Sequence, residues 1–275
     1  MIPAPFEYRR AGSVDEAVAL LAEDPDERKL LAGGHSLLPL MKLRLATPTV
    51  LVDVGRLAEL SYVREDGDHV AIGALTRHCD LEAAPVAREH APLLSHVAGQ
   101  VGDPQVRHRG TIGGSVAHGD PASDLPAAVL ALGGSFVVQG PQGHRELAAE
   151  DFFQGFLETA MAPDEMLTEI RVPKSGGGWA FQKFNRRAQD WAIVGVAASV
   201  NGSSRVALVN MGPTPLRARA VEAALAAGAS AEEAASRAAE GLEPPADVQA
   251  SAEYRAHLAR VLVRRALEEA TARRG

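Results

Sequence analysis

Short β-branched segments closed by glycine turns alternate with alanine-rich helical stretches along this chain, and the sequence predicts an α+β fold. Three observations carry that reading. Hairpin patterns recur at 61–75 and 135–147, and behind a glycine-rich break at 173–179 three apparent strands are followed by helices. The third is size: 275 residues, 46% of them apolar, can build two or three subdomains around a real core.

Taken in order, Ser13 with Glu16 three residues on has capping-box spacing, and Val14, Ala17, Val18 and Leu21 then line one helical face. "RKLLAGG" (28–34) reads as a short buried strand ending in a glycine turn, and "TVLVDVG" (49–55) as a second strand. Between them "LLPLMKLRL" (37–45) fits either element. "SYVREDGDHVAIGAL" (61–75) predicts a hairpin turning at Gly67, and 77–102 a helical run broken at Pro85 and Pro92. "SDLPAAVLALGG" (123–134) is a helix with a glycine exit, "SFVVQGPQGHREL" (135–147) a hairpin, and "MLTEIRVP" (166–173) a strand stopped by proline. "PKSGGGW" (173–179) has linker composition. Strands at 179–185, 191–202 and 204–212 follow, forming a three-stranded antiparallel sheet. Helices at 217–240 and 248–273 complete the C-terminal part, the last amphipathic through Leu258, Leu262 and Leu267. The expected units are 1–57, 58–173 and 178–275.

Composition narrows the function. A net charge of −7 argues against general nucleic-acid binding, which needs a cationic face. The single cysteine, Cys79, cannot make an internal disulfide, a four-cysteine zinc site or an iron–sulfur cluster. The N-terminal "MIPAPFEYRRAGS" has no apolar signal core, and no run approaches the roughly 20 apolar residues of a membrane span, so cytoplasmic residence is expected.

Two glycine motifs stand out. Gly33-Gly34 and Gly113-Gly114 each follow a short apolar segment and precede a hydroxyl residue, Ser36 or Ser115. Glycine permits positive φ and leaves no Cβ in a ligand's way, so successive N–H groups can converge on an anion. Two such loops suit a doubled phosphate. Neither fits G-x-G-x-x-G or the P-loop pattern. Asp124 has N-cap spacing for the helix near Leu125, and His35 and His118 read as hydrogen-bonding spacers. Lys183 reads equally as an edge-strand surface lysine or as a ligand-facing cation.

"AGGHSLLPLMKLR" (32–44), "VRHRGTIGGSVAHGDPASDLPAA" (106–128) and "FQKFNRRAQDWAIVGVA" (181–197), with the opening "FEYRRAGSVDEAVALL" (6–21), resemble the flavin-binding medium subunit of molybdenum hydroxylases, of the aerobic carbon monoxide dehydrogenase type. The resemblance spans essentially the whole chain. It implies a two-part FAD-binding domain, vanillyl-alcohol-oxidase-like, closed by a small α+β C-terminal domain. It implies FAD contacts at Ala32, Gly33, Gly34, His35 and Ser36, at Thr111, Ile112, Gly113, Gly114 and Ser115, and at Asp124, Leu167 and Lys183. The stretch Lys29 to Leu31 just upstream is also implied, with Lys29 and Leu31 as candidates; at Lys183 the register could slip to Gln182. Many relatives carry asparagine where Ser115 stands. The implied role is electron transfer rather than substrate turnover. The implied partners are a small subunit with two [2Fe-2S] clusters and a large molybdenum-cofactor subunit, as a dimer of heterotrimers. The location is cytoplasmic or peripheral at the inner face of the membrane. The alternatives are a stand-alone FAD oxidoreductase of the vanillyl-alcohol-oxidase type and a non-redox nucleotide-binding module.

Overall fold

The computed structural model describes residues 2–274. Strand β1 (Glu7–Arg10), helix α1 (Val14–Ala22), β2 (Arg28–Leu31), α2 (Leu37–Lys42) and β3 (Val50–Asp53) form a parallel three-stranded sheet of order β1-β3-β2 with helical crossovers. α1 presses Ala17, Val18 and Leu21 onto it. Ser13 accepts the Glu16 amide at 3.1 Å, but the Glu16 carboxylate takes the Gly12 amide at 2.7 Å instead of Ser13's, so the expected capping box is half formed. β1 escapes sequence detection because all four of its residues are exposed and three are charged. Pairing makes it a strand: it lies in register with β3, Glu7 opposite Val50, and Tyr8 Oη donates to Asp53 Oδ2 at 2.5 Å.

The middle region opens with the hairpin β4 (Val63–Asp66) and β5 (His69–Gly73). Three short helices follow, α3 (His78–Ala83), α4 (Pro85–His90) and α5 (Pro92–Gly99). Pro85 and Pro92 each start a new helix, where a missing N–H costs nothing. Next come α6 (Pro104–Arg107), α7 (Ile112–His118), α8 (Asp124–Leu132), the hairpin β6 (Ser135–Gly140) and β7 (Gly143–Ala148), α9 (Ala149–Phe152), a small hairpin β8 (Phe153–Gly155) and β9 (Glu158–Thr159), and β10 (Met166–Pro173). The five long strands form an antiparallel sheet, order β4-β5-β10-β6-β7. The β8–β9 hairpin, two residues on one arm, is too short to announce itself in the sequence.

The C-terminal part holds β11 (Gly178–Phe184), β12 (Val194–Asn201), β13 (Ser203–Val209), β14 (Leu216–Arg217), α10 (Arg219–Ala226), α11 (Ala231–Ser236) and α12 (Ala252–Ala272). Its antiparallel sheet has four strands where three are expected. The fourth is the pair Leu216–Arg217 against Leu208 and Ala207. The glycine-rich break is not a free linker. Gly178 already belongs to β11, where a Cβ would overlap the Ala270 carbonyl of α12, and Gly177 packs on Val200 and Asn201. Only Gly176 has open space, and the Ser175 amide is tied to His90 O at 2.7 Å.

One core joins the two larger sheets. All nine residues of α8 are buried, and they pack with Ile72, Phe136 and Ile170 on one side and Phe181, Ala197, Ala207 and Val209 on the other. The opposite face of β11–β14 makes a second core with α10–α12, and β1–β3 with α1 a third.

Candidate functional site

Where these layers meet lies a cavity of about 790 Å³, near the upper end for small-molecule sites. Its walls come from the turn between β2 and α2, the start of α7, the N-terminal end of α8, β10 and β11. Of the expected residues, Lys29, Ala32, Gly33, Gly34, His35, Ser36, Thr111, Gly113, Gly114, Ser115, Asp124, Leu167 and Lys183 all line it. Leu31 and Ile112 do not; Ile112 is fully buried in the core behind α7.

The two glycine motifs differ in a way their sequences hide. The first is a turn, with Gly34 at φ +78°. Among the described residues the amides of Gly33, Gly34, His35 and Ser36 have no acceptor, so four successive N–H groups stand free beside the cavity. The second motif is helical, not a loop: it is the first turn of α7, N-capped by Thr111. Its amides are already used. Ile112 N donates to Thr76 O at 3.0 Å, Gly113 N to Ala74 O at 2.9 Å, Gly114 N to Thr111 Oγ1 at 3.2 Å and Ser115 N to Thr111 O at 3.1 Å. Positive φ therefore explains only one of the four glycines. Close approach explains two others: a Cβ on Gly33 would overlap the Arg109 carbonyl, and one on Gly113 would sit 2.5 Å from Ala74. Gly114 is different. Its only near neighbour is Thr111 Oγ1 at 2.9 Å, so its missing side chain leaves room in the cavity itself.

Asp124 does not cap α8. Ser123 holds the N-cap position, and Asp124 is the helix's first residue, 6% exposed. Its Oδ2 accepts from Lys183 Nζ at 2.7 Å, while Oδ1 is buried with no partner. Burial pushes the Asp124 carboxyl up to about 6, against the downward pull of the Lys183 ammonium. Lys183 is no surface residue: its side chain is 9% exposed, and Nζ also donates to Gln100 O at 3.1 Å. Register is decided by the pleat, because Gln182 turns the other way, to Glu269 Oε2 of α12 at 2.5 Å.

Sequence reasoning missed several wall residues. His78 lies 4% exposed at the start of α3 with Nδ1 unpartnered; burial, with the nearby His35 and Arg107, lowers its pKa to about 4. Leu157 to Thr159, Met161 and Ala162, around β9, and Gln189 to Trp191 add further wall. Trp191 lies within the stretch 181–197 that carries the resemblance, but its place on the cavity follows only from how the β11–β12 connection folds back.

Residues 4–175 match the family model described as the FAD binding domain in molybdopterin dehydrogenase, and residues 179–270 match the CO dehydrogenase flavoprotein C-terminal domain. The chain is 44% identical to the carbon monoxide dehydrogenase medium chain of Hydrogenophaga pseudoflava, over 99% of both chains. It is 36% identical to the nicotine 6-hydroxylase medium subunit of Paenarthrobacter nicotinovorans, again over 99% of each. It superimposes on a solved carbon monoxide dehydrogenase structure from H. pseudoflava with a TM-score of 0.96 at 46% identity, covering 100% of both chains. With full-length matches of this kind, no observation favours a stand-alone oxidase or a non-redox nucleotide module.

Proposed function

The chain belongs to the FAD-binding medium chains of the molybdenum hydroxylases, and on that premise we propose that the cavity holds FAD to relay electrons from a partner subunit to an external acceptor. The observation that carries the site assignment is the run of four unpaired amides, Gly33 to Ser36, facing the cavity that also holds the orphaned Oδ1 of Asp124.

The donor set suits the cofactor. Free backbone N–H groups at a glycine turn stabilise a diphosphate without a competing side chain. Ser36 and Ser115 add hydroxyls at the same wall. The unpartnered Asp124 oxygen accepts from a ribityl or ribose hydroxyl, which removes the cost of a buried lone acceptor. Lys183 keeps Asp124 ionised near neutral pH and supplies a buried cation in the wall. Gly114 supplies space rather than a bond. When bound, FAD converts electrons delivered singly into pairs. The residues of this chain bind and orient it, with Trp191 and Leu157 among the apolar side chains of the wall.

The single cysteine cannot ligate a cluster. On the strength of the family membership, and not of the cysteine count, we propose that the partners are a small subunit with two [2Fe-2S] clusters and a large molybdenum-cofactor subunit, assembled as a dimer of heterotrimers. No helix among the described residues is long and apolar enough to cross a membrane. A cytoplasmic location, or one at the inner face of the membrane, is part of the same reading.

The test is the flavin spectrum of the purified complex. Wild type should carry one FAD per chain. Gly114→Val should lose at least tenfold in flavin occupancy at only a small cost in melting temperature, because its Cβ presses on the Thr111 hydroxyl and on nothing else nearby. Full occupancy in that variant would count against the cavity as the FAD site.

A further inference from the structure

His78 is held where the two glycine motifs come together. Its amide donates to Gly110 O at 3.1 Å, and the Arg77 side chain donates to the carbonyls of His108 and Arg109 at 2.9 and 3.0 Å. The start of α3 is thereby clamped to the segment that leads into Thr111. The same segment meets the first motif, since Gly33 packs against the Arg109 carbonyl and Gly110. Gly110 has no side chain, and the Nε2–Cδ2 edge of the imidazole fills the place: a Cβ there would lie 2.7 Å from Nε2. His78 therefore enters the cavity wall beside the turn whose four amides stand free.

The fold makes no use of this ring. Among the described residues its buried Nδ1 has no hydrogen-bond partner, and no carboxylate pairs with it. A neutral imidazole carries one N–H and one bare nitrogen, and burying either without a partner is destabilising. A position needing only bulk would hold leucine at no such cost. The groups that face the ring are His35 from the glycine turn and Arg107 from α6, which is itself 3.3 Å from Glu82 of α3. With burial, they keep the empty site's imidazole neutral down to about pH 4.

The turn, for its part, lacks charge. A diphosphate is doubly anionic, and backbone amides answer it with dipoles alone. Of the cations in the wall, Lys183 is paired with Asp124 and Arg28 with Glu23, at 2.7 and 2.6 Å, and Lys29 is exposed. A buried imidazole beside the turn can add a charge, because an anion at rest there favours its protonated form.

Resting on the function proposed above, we infer that His78 is a further cofactor-binding residue: its unpartnered ring nitrogen donates to the diphosphate held at the Gly33–Ser36 turn, and the ring takes up a proton from solvent as that anion binds. The empty and filled sites then differ by one proton on His78. Affinity through this residue rises as pH falls, and levels off near pH 4, where the ring of the empty site is itself protonated.

The experiment is FAD titration into the purified complex after its flavin has been stripped, read by flavin fluorescence between pH 5 and 8, with His78→Leu and His78→Asn. Leucine removes both nitrogens. Asparagine puts an amide donor where Nδ1 stands but takes up no proton. Stripped His78→Leu should melt no lower than wild type, since it loses an unpartnered buried nitrogen. It should nevertheless bind FAD at least tenfold more weakly at pH 8, and the deficit should grow by about a further tenfold at pH 5. His78→Asn should stay within about threefold of wild type at pH 8 and fall behind only in acid. The other titrating groups of the wall are common to all three chains, so the ratio of affinities isolates His78. Wild-type affinity in His78→Leu, or equal losses in the two variants at every pH, would overturn the proposal. A wild-type complex that takes up no FAD would instead sink the functional reading beneath it.

Discussion

Asp124 and His78 are two buried titratable groups in one cavity, and burial pushes them in opposite directions. The folded Asp124 carboxyl, up at about 6 from an ordinary value of 3.8, binds its proton more tightly than the unfolded chain does. Its contribution to stability is therefore present at low pH and lost as pH rises through about 6. The folded His78 ring, down at about 4 from 6.5, behaves the other way: its contribution is present above 6.5 and lost as pH falls through about 4. Each amounts to roughly 3 kcal/mol at full effect, and between pH 4 and 6 the two slopes oppose. Asp124→Asn should therefore unmask the His78 slope. Melts of the cofactor-free chain should show stability falling more steeply with acid in the variant than in wild type, and parallel curves would refute the pairing of effects. Arg255 gives a second residue-level expectation. Its side chain is 1% exposed; it donates to the Ile193 carbonyl and pairs with Asp247 Oδ2 at 2.7 Å, while Asp247 is 45% exposed. Asp247→Ala strands a buried cation, at a cost of about 3–5 kcal/mol. Arg255→Met leaves a carboxylate free to hydrate and one carbonyl unpaired, at about 1–3 kcal/mol. Urea denaturation should rank Asp247→Ala as the more damaging.

Elements show why similar motifs do different jobs. The turn after β2 exposes its amides because the chain leaves a strand and enters α2 within a few residues, and no neighbouring strand end reaches them. The first turn of α7 is clamped by the 74–76 segment, which consumes its donors. Gly33→Val and Gly114→Val should consequently separate. Gly33→Val forces backbone against the Arg109 carbonyl and should lower the melting temperature as well as flavin content. Gly114→Val should cost far more in flavin than in melting temperature, because it displaces only the Thr111 hydroxyl. Differential scanning fluorimetry beside the flavin spectrum reads both, and equal melting losses would show that Gly114 is structural too. At this scale the sequence was readable for the hairpins, for the proline-started helices and for the glycine exit of α8, whose C-cap Gly133 has φ +69°. It was not readable for β1, whose charged residues carry no apolar alternation, or for β14, a two-residue strand.

The whole molecule is organised around α8, a nine-residue helix buried on every side between two sheets. A helix apolar all round is stable only when covered all round. The spans matched by the two family models thus share a core, and Lys183 of β11 reaches across to Asp124 of α8. A fragment ending at residue 177 should bind hydrophobic dye and melt without cooperativity, since it would bare the side of α8 that packs with Phe181, Ala197, Ala207 and Val209. A cooperative, dye-free fragment would show that the N-terminal part folds alone.

By itself the sequence determined the succession of strands and helices, the placement of two glycine motifs, and the absence of any cluster-ligating cysteine set. Local propensity and apolar periodicity act within a few residues, and those features are local. Only the tertiary structure decided which amides stay free, that Asp124 meets Lys183 instead of capping its helix, and that Gly33 is required by a close approach and Gly114 by the cavity. Each of those depends on what a distant segment brings within about 3 Å, and that distance is set by the packing of the sheets around α8.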